Sequence, residues 1–136
     1  MIVEVSPAVF YNAVNFARQT LRQPLALNLT LHPEHHYQNA RCFHDSARRA
    51  GFAVLDGELI NVFSQAKNWG DCLVTAGVAL GAKRLDCFDG YLPTLYRKHG
   101  FIEVDRAVWD DAYAPSGWRK DLWGTPDVLF MRLPGA

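Results

Sequence analysis

The stretch of residues 58–101 constrains the fold most, because helical and strand patterns alternate along it. Its apolar β-forming runs indicate strands, and its runs of apolar and small residues indicate short buried helices. Gly81 and Gly100 follow the two helical runs, as glycine commonly does at a helix C-terminus. In chain order, the stretch predicts a strand at residues 59–63, a loop at 65–70 and a helix at 71–80. A second strand at 84–88 and a second helix at 93–99 follow.

The loop at residues 65–70 has the character of an anion-binding turn. It is polar, and it contains Asn68 and Gly70, two residue types that tolerate a positive φ. The helix that follows leaves its first backbone amides without intrahelical partners, and such amides bind anions. The stretch therefore predicts an anion site at the start of this helix.

The N-terminal part of the chain begins with a predicted strand at residues 2–5. Ser6 followed by Pro7 is typical of a helix start, with Ser as the N-cap and Pro in the first turn. The helix is predicted to run to Arg22 and to end before Pro24. Its apolar face is expected to comprise Phe10, Ala13, Val14, Ala17 and Leu21.

Residues 25–50 contain segments whose patterns fit more than one structure. Leucines alternate with other residues at 25–31, which is strand periodicity, although an extended loop would show the same pattern. The polar, histidine-rich residues 33–39 predict an irregular segment. Residues 40–44 fit either a helix, through Tyr37, Ala40, His44 and Ala47, or a strand. We favour the strand, because a turn at residues 45–48 would lead into the next one.

The dipeptide Asp56-Gly57 is the strongest hairpin signal in the chain, since it suits a type I′ turn. It predicts that residues 51–55 and 58–63 form antiparallel neighbours. Beyond Gly100 we expect a strand at residues 101–109, an ordered, tryptophan-containing loop at 110–125, and a last strand at 127–133. The pattern indicates one α+β domain of 136 residues, with a mixed, mostly antiparallel sheet flanked by helices.

Composition argues against several classes of protein. The formal net charge is zero and the pI is about 7.0, whereas a nucleic-acid binder usually has a basic face, so no nucleic acid is expected. The apolar runs are too short to span a bilayer, and no signal peptide is evident. The number of cysteines is odd, and two of the three fall in predicted core elements; they are Cys42, Cys72 and Cys87. This pattern indicates reduced thiols and a cytoplasmic protein.

The order of elements resembles that of the GCN5-related N-acetyltransferase (GNAT) family. In that family a loop of pattern Gln/Arg-x-x-Gly-x-Gly/Ala follows the fourth strand and holds the diphosphate of acyl-CoA. Gln65 and Gly70 match this pattern, and Asn68 replaces its first glycine. The resemblance implies acetyl-CoA as cosubstrate and a binding site at Val62, Phe63, Gln65, Asn68, Trp69, Gly70 and Asp71.

A second motif, from Leu95 and Tyr96 to Gly100 and Phe101, resembles the family's Leu-Tyr-x-x-x-Gly-Phe. The resemblance implies that Tyr96 protonates the departing thiolate; the alternative is a packing role. Glu58 and Asn61 lie where the family often places a base or a water-positioning group. Glu58 is therefore the candidate base, and a solvated surface glutamate is its alternative.

Three further groups of residues have two interpretations each. Asp86 and Asp89 flank the strand at 84–88 and could act as a base or recognise an amine, or could be capping or solvated residues. The tryptophans could line an acceptor pocket or anchor the loop. The remaining group could bind a metal or could be surface histidines; because it lacks zinc-site spacing, surface histidines are expected and no metal. It comprises His32, His35, His36, Cys42 and His44.

The hairpin at residues 51–57, the strand end at 85–90 and the strand at 126–131 resemble most closely the small, divergent GNAT-like proteins of tailed phages. The resemblance implies an acyl-CoA-dependent N-acyltransferase, acting on an unknown amine in a host bacterial cytoplasm. Its alternative is a catalytically weak or inactive protein of this fold that binds and modulates a host protein. A homodimer that pairs the last strand across a two-fold axis is also compatible with the family.

Overall fold

The computed structural model describes residues 1–22 and 25–135. Its strands are β1 (Val3–Val5), β2 (Arg41–Asp45), β3 (Ala50–Leu55), β4 (Glu58–Ser64), β5 (Arg84–Phe88), β6 (Ile102–Ala107) and β7 (Val128–Arg132). Its helices are α1 (Pro7–Thr20), α2 (Leu25–Asn28), α3 (Gly70–Ala79), α4 (Tyr91–Lys98) and α5 (Lys120–Trp123). Two 3₁₀ helices cover Glu34–Tyr37 and Asp111–Tyr113.

All seven strands form one sheet, in the order β1-β2-β3-β4-β5-β7-β6. Every neighbouring pair is antiparallel except β4 and β5, which are parallel. The predicted α+β architecture, a mixed and mostly antiparallel sheet flanked by helices, is therefore confirmed. A parallel pair requires a crossover connection, and α3 provides it between these two strands.

The hairpin predicted at Asp56-Gly57 is confirmed. Both residues have positive φ, +50° and +81°, as a type I′ turn requires. Leu55 pairs with Glu58 across the turn, and Val54 pairs with Leu59. This turn fixes the register of β4 and hence the position of Glu58 at its start.

Helix α1 begins as predicted and ends earlier. The Ser6 hydroxyl accepts a hydrogen bond from the Val9 amide at 3.2 Å, so Ser6 is the N-cap. The helix ends at Thr20, two residues before Arg22, and the expected role of Pro24 lies outside the described residues. Its buried face is made by Phe10, Val14 and Ala17.

The strand or extended loop predicted at residues 25–31 is wrong in its main part, since Leu25–Asn28 forms α2. Local hydrogen bonds, from the Ala26 amide to Arg22 and from the Leu29 amide to Ala26, satisfy this backbone without a neighbouring strand. The segment predicted to be irregular contains the 3₁₀ helix Glu34–Tyr37. The strand favoured for residues 40–44 is confirmed as β2.

The apolar side chains form one core on each face of the sheet. Leu73 of α3 and Leu95 of α4 belong to the first core, and Phe10 of α1 belongs to the second. Helix α3 lies close to the sheet, because a Cβ at Gly77 would be only 2.8 Å from Leu59 Cδ1. Cys72, predicted within a buried helix, is exposed on the outer side of α3.

A β-bulge at Asn61 interrupts the alternation of β4. Asn61 has φ +52°, and the register with β3 shifts between Gly51 and Ala53. Ile60 packs against the α1 core and Val62 against the α3/α4 core, although an unbroken strand would direct both to one face. The bulge is thus the point at which β4 changes the face it presents.

The segment between β6 and β7 is ordered around aromatic side chains, as expected. Trp118 lies 5.4 Å from Trp109, 5.3 Å from Trp123 and 5.6 Å from Phe88, measured between ring centres. The strand predicted at residues 101–109 is shorter, ending at Ala107, and α4 begins at Tyr91, two residues before the predicted Pro93. Phe88 anchors this segment to the sheet.

Candidate functional site

The sheet opens between β4 and β5. These parallel strands pair only at Glu58 and Arg84 and then diverge. Beyond this pair, the backbone groups on the facing edges have no ladder partner in the described chain, and such groups require hydrogen-bond partners. A cleft of about 400 Å³ occupies the opening. Its unpaired strand edges suit an extended ligand.

Side chains from several elements line this cleft. Glu58 and Val62 come from β4, Asp86 and Phe88 from β5, and Tyr96 from α4. Residues of α2 and of the segment before β2 complete the lining, among them Asn28, Thr30, His32 and His36. The cleft therefore combines residues that are up to 100 positions apart in the sequence, as between Asn28 and Val128.

Two carboxylates, Glu58 and Asp86, belong to the lining. Burial and, secondarily, the charge of Asp86 raise the pKa of Glu58, whereas Arg84 and His36 act in the opposite direction. Asp86 is open to solvent in the cleft, yet the surrounding walls remove part of its hydration, and this burial raises its pKa. Within residues 1–22 and 25–135, neither carboxylate has an ion-pair partner.

Tyr96 has the environment of a proton donor. Its side chain is 5% exposed, and its ring packs edge-to-face on Phe101 with the ring centres 6.0 Å apart. Burial, followed by the neighbouring Cys87 thiol and Asp86, raises the pKa of the phenol. No residue of the described chain hydrogen-bonds to its hydroxyl. Tyr96 therefore remains protonated near neutral pH and can donate its proton within the cleft.

A hydrogen-bonded link joins the β4 bulge to the segment on the opposite wall. The fully buried Tyr37 donates its hydroxyl hydrogen to Asn61 Oδ1 at 2.8 Å and accepts a hydrogen bond from the His32 amide at 3.3 Å. Asn61 Nδ2 in turn donates to the Thr30 carbonyl. The His32 and His36 rings stack with their centres 4.3 Å apart. The link holds this wall against β4.

The loop before α3 has the suggested positive φ at Asn68 but not at Gly70, which is the first residue of the helix. Asn68 has φ +59°, the conformation for which Asn is the most tolerant residue after glycine. The first helical hydrogen bond runs from the Leu73 amide to the Trp69 carbonyl, so the amides of residues 70–72 have no intrahelical partner. No side chain of residues 1–22 and 25–135 caps them. These amides are available to an anion.

The Asp71 carboxylate does not bind these amides. It contacts His99 Nε2 at 2.9 Å and Lys98 Nζ at 3.4 Å, both at the end of α4. The hydrogen bond from His99 is the main cause that lowers the pKa of Asp71. The negative charge of Asp71 is therefore paired with α4, and the Trp69 ring next to it stacks with the Arg48 guanidinium 4.0 Å from the ring centre.

The predicted site residues fall into three places. Glu58, Val62 and Tyr96 line the cleft. Phe63 and Gln65 line a second cavity of about 330 Å³ beside α1, where the Phe63 side chain is 5% exposed and belongs to the core. The residues at the start of α3, namely Asn68, Trp69, Gly70 and Asp71, line neither cavity.

The sequence did not identify two parts of the cleft. The pattern indicates surface residues or metal ligands for His32 and His36, and it assigns no site role to Tyr37, the tyrosine of this polar stretch. No group of three or more potential metal ligands occurs in the part of the chain that the structure covers. No helix within that part is long and apolar enough to cross a membrane.

No protein-family model matches the chain, and no curated protein matches it. Several solved structures do match the chain. An IAA acetyltransferase from Bacillus cereus matches with a TM-score of 0.63 at 14% identity, covering 98% of this chain and 97% of its own. A GNAT-family acetyltransferase from Streptococcus pneumoniae matches at 0.57 and 16% identity, covering 96% of each.

An acetyltransferase from Bacillus subtilis solved in complex with CoA matches with a TM-score of 0.54 at 14% identity, covering 98% of this chain and 95% of its own. All three similarities extend over nearly the whole chain. At such low identities they establish the fold, which is the GNAT fold. The fold expected from the sequence is thus confirmed.

We expect Tyr37→Phe to lower the free energy of unfolding by about 1–2 kcal/mol, because it removes the hydroxyl that bonds to Asn61 and leaves the Asn61 acceptor unpaired. Urea unfolding measures this change. Tyr113→Phe is the matched control, since Tyr113 is 85% exposed, and its effect should stay within about 0.5 kcal/mol. Equal stabilities for the two variants would contradict a structural role for the link.

Proposed function

We propose that this protein is an acyl-CoA-dependent N-acyltransferase that transfers an acetyl group to an amine. The observation that carries the proposal is the opening of the sheet between β4 and β5, with Glu58 and Tyr96 in the same cleft. One of the similar acetyltransferases was solved with CoA, which supports the same cosubstrate here.

The start of α3 is the proposed contact for the diphosphate of acetyl-CoA. The free amides of residues 70–72 and the positive end of the helix dipole favour a negative group. Pairing of Asp71 with His99 and Lys98 keeps its carboxylate from these amides. The backbone edge of β4, which β5 leaves unpaired beyond Glu58, offers hydrogen bonds to an extended chain such as pantetheine.

The chemistry needs two proton transfers, and the cleft has one group suited to each. Glu58 accepts a proton from the attacking amine as the new C–N bond forms at the acyl carbon. Tyr96 donates its proton to the thiolate sulfur as the C–S bond breaks, and it recovers a proton from solvent. The raised pKa of Glu58 strengthens it as a base, and the raised pKa of Tyr96 keeps it protonated.

We expect acetyl-CoA at 100 times its dissociation constant to stabilise the protein by about 2.7 kcal/mol in a thermal-shift titration. Asn68→Gly should retain this stabilisation, because glycine adopts a positive φ freely. Asn68→Val should reduce it, because a β-branched residue is strained at φ +59°. Absence of stabilisation by millimolar acetyl-CoA would refute the enzyme proposal and favour a fold that acts by binding another protein.

Tyr96→Phe should leave the affinity for acetyl-CoA intact and lower kcat about 100-fold, since it removes the proton donor without removing the ring. Release of free thiol measures the turnover. Tyr91→Phe on the same helix is the control, because Tyr91 is 72% exposed and lies outside the lining of the cleft. Unchanged turnover in Tyr96→Phe would remove this residue from the mechanism.

The pH profile tests Glu58. Because the carboxylate is the active form, kcat/KM should rise with pH through a pKa that lies above the ordinary value of 4.5. Glu58→Gln should lose this rise and lower kcat/KM by about 100-fold or more. Glu34→Gln, at an exposed position, should retain the profile of the wild type. A profile that survives in Glu58→Gln would contradict the assignment of the base.

A further inference from the structure

We infer that the acceptor is a short diamine or polyamine, with Glu58 serving the attacking nitrogen and Asp86 binding a second ammonium group. This inference rests on the proposed function, because it assigns the amine that the cleft receives. Its starting point is that one cavity contains two carboxylates and that only one is needed as a base. The other carboxylate is free to recognise charge.

The unpaired state of these two carboxylates sets them apart from the acidic residues just beyond the cleft. Asp89 and Asp127 both accept hydrogen bonds from Arg106 Nη1 at 3.1 Å, so their charges are compensated. Within residues 1–22 and 25–135, Glu58 and Asp86 have no such partner. Arg84 lowers the pKa of Glu58 but lies outside the lining of the cleft. A cationic ligand would supply the missing compensation.

Two polar groups that line the cleft without a hydrogen-bond partner are an independent indication that a polar ligand enters this cavity. Asn28 Oδ1 is buried and has no hydrogen-bond partner in the described chain. The Tyr96 side chain is 95% buried, and no residue of the described chain hydrogen-bonds to its hydroxyl. A buried polar group without a partner is costly, and a bound ligand can provide that partner. The cavity volume of about 400 Å³ is within the usual range for small-molecule sites.

The wall next to Asp86 is also suited to a cation. Phe88 follows two positions later on β5, so its side chain lies on the same face of the sheet and lines the same cavity. An aromatic ring attracts a nearby ammonium group and accommodates the methylene chain that carries it. Trp118 and Trp109 support this ring at centre distances of 5.6 and 6.0 Å. An acceptor with a carboxylate at this end would be repelled by Asp86.

The reaction balances as it does for a simple amine. The attacking end of the diamine loses a proton to Glu58 and forms the amide bond, and the released thiolate takes its proton from Tyr96. The second ammonium group remains charged throughout. Its pairing with Asp86 contributes binding and orientation, and no further reactant is required.

Two acceptors of equal size test the inference: 1,4-diaminobutane and pentylamine, each with six non-hydrogen atoms. With acetyl-CoA and the full-length protein, we expect kcat/KM to be at least about tenfold higher for the diamine. Asp86→Asn should bring the ratio of the two values close to one. Asp105→Asn, on the exposed strand β6, should keep the ratio of the wild type.

Binding of 1,4-diaminobutane, measured by calorimetry on the same variants, provides a readout that does not depend on turnover. If acetyl-CoA is used but the diamine shows no advantage, the inference is overturned and the proposed function stands. If acetyl-CoA neither binds nor reacts, the proposed function fails, and diamine binding that weakens at least about tenfold in Asp86→Asn would still support the cation site. Equal affinities of wild type and Asp86→Asn for 1,4-diaminobutane would overturn the inference that Asp86 binds an ammonium group.

Discussion

The β-bulge at Asn61 is the constraint on which the arrangement of the cleft depends. One extra residue in β4 reverses the faces on which its side chains lie, so Val62 faces the α3/α4 core and the cleft, and Phe63 packs beneath α1. The positive φ that this requires is tolerated by Asn better than by most residues. The same side chain then bonds to Tyr37 and Thr30, so the bulge and the opposite wall are fixed together.

The divergence of β4 from β5 gives the cleft its chemical character. Unpaired strand edges lie in the centre of the sheet, where the walls of the cleft remove part of the hydration of the groups that line it. Reduced hydration raises the pKa of an acid, and it acts here on Glu58, Asp86 and Tyr96 alike. A raised pKa makes a carboxylate a stronger base and keeps a phenol protonated. One physical effect thus produces the two opposite roles that acyl transfer needs.

Local signals in the sequence were sufficient for most of the fold. The Asp56-Gly57 turn, the Ser6 cap and the strand and helix patterns of residues 58–101 depend on neighbouring residues, and the structure agrees with them. The leucine alternation at residues 25–31 failed because period-two spacing specifies a strand only where a sheet edge is available. The bulge was not predicted either, since Asn61 within an apolar run gives no local indication of a register shift.

The cleft depends instead on contacts between distant segments, which a sequence reading cannot supply. Asp71 illustrates this. Its position in the first turn of α3 indicates an interaction with the helix amides, but His99 and Lys98 from the end of α4 take the carboxylate. Exposed pairs of this kind contribute only about 0–1 kcal/mol to stability. Their consequence here is positional, because the amides at the start of α3 remain free. The residue types could be read from the sequence, whereas their availability to a ligand is set by the packing of α3 against α4.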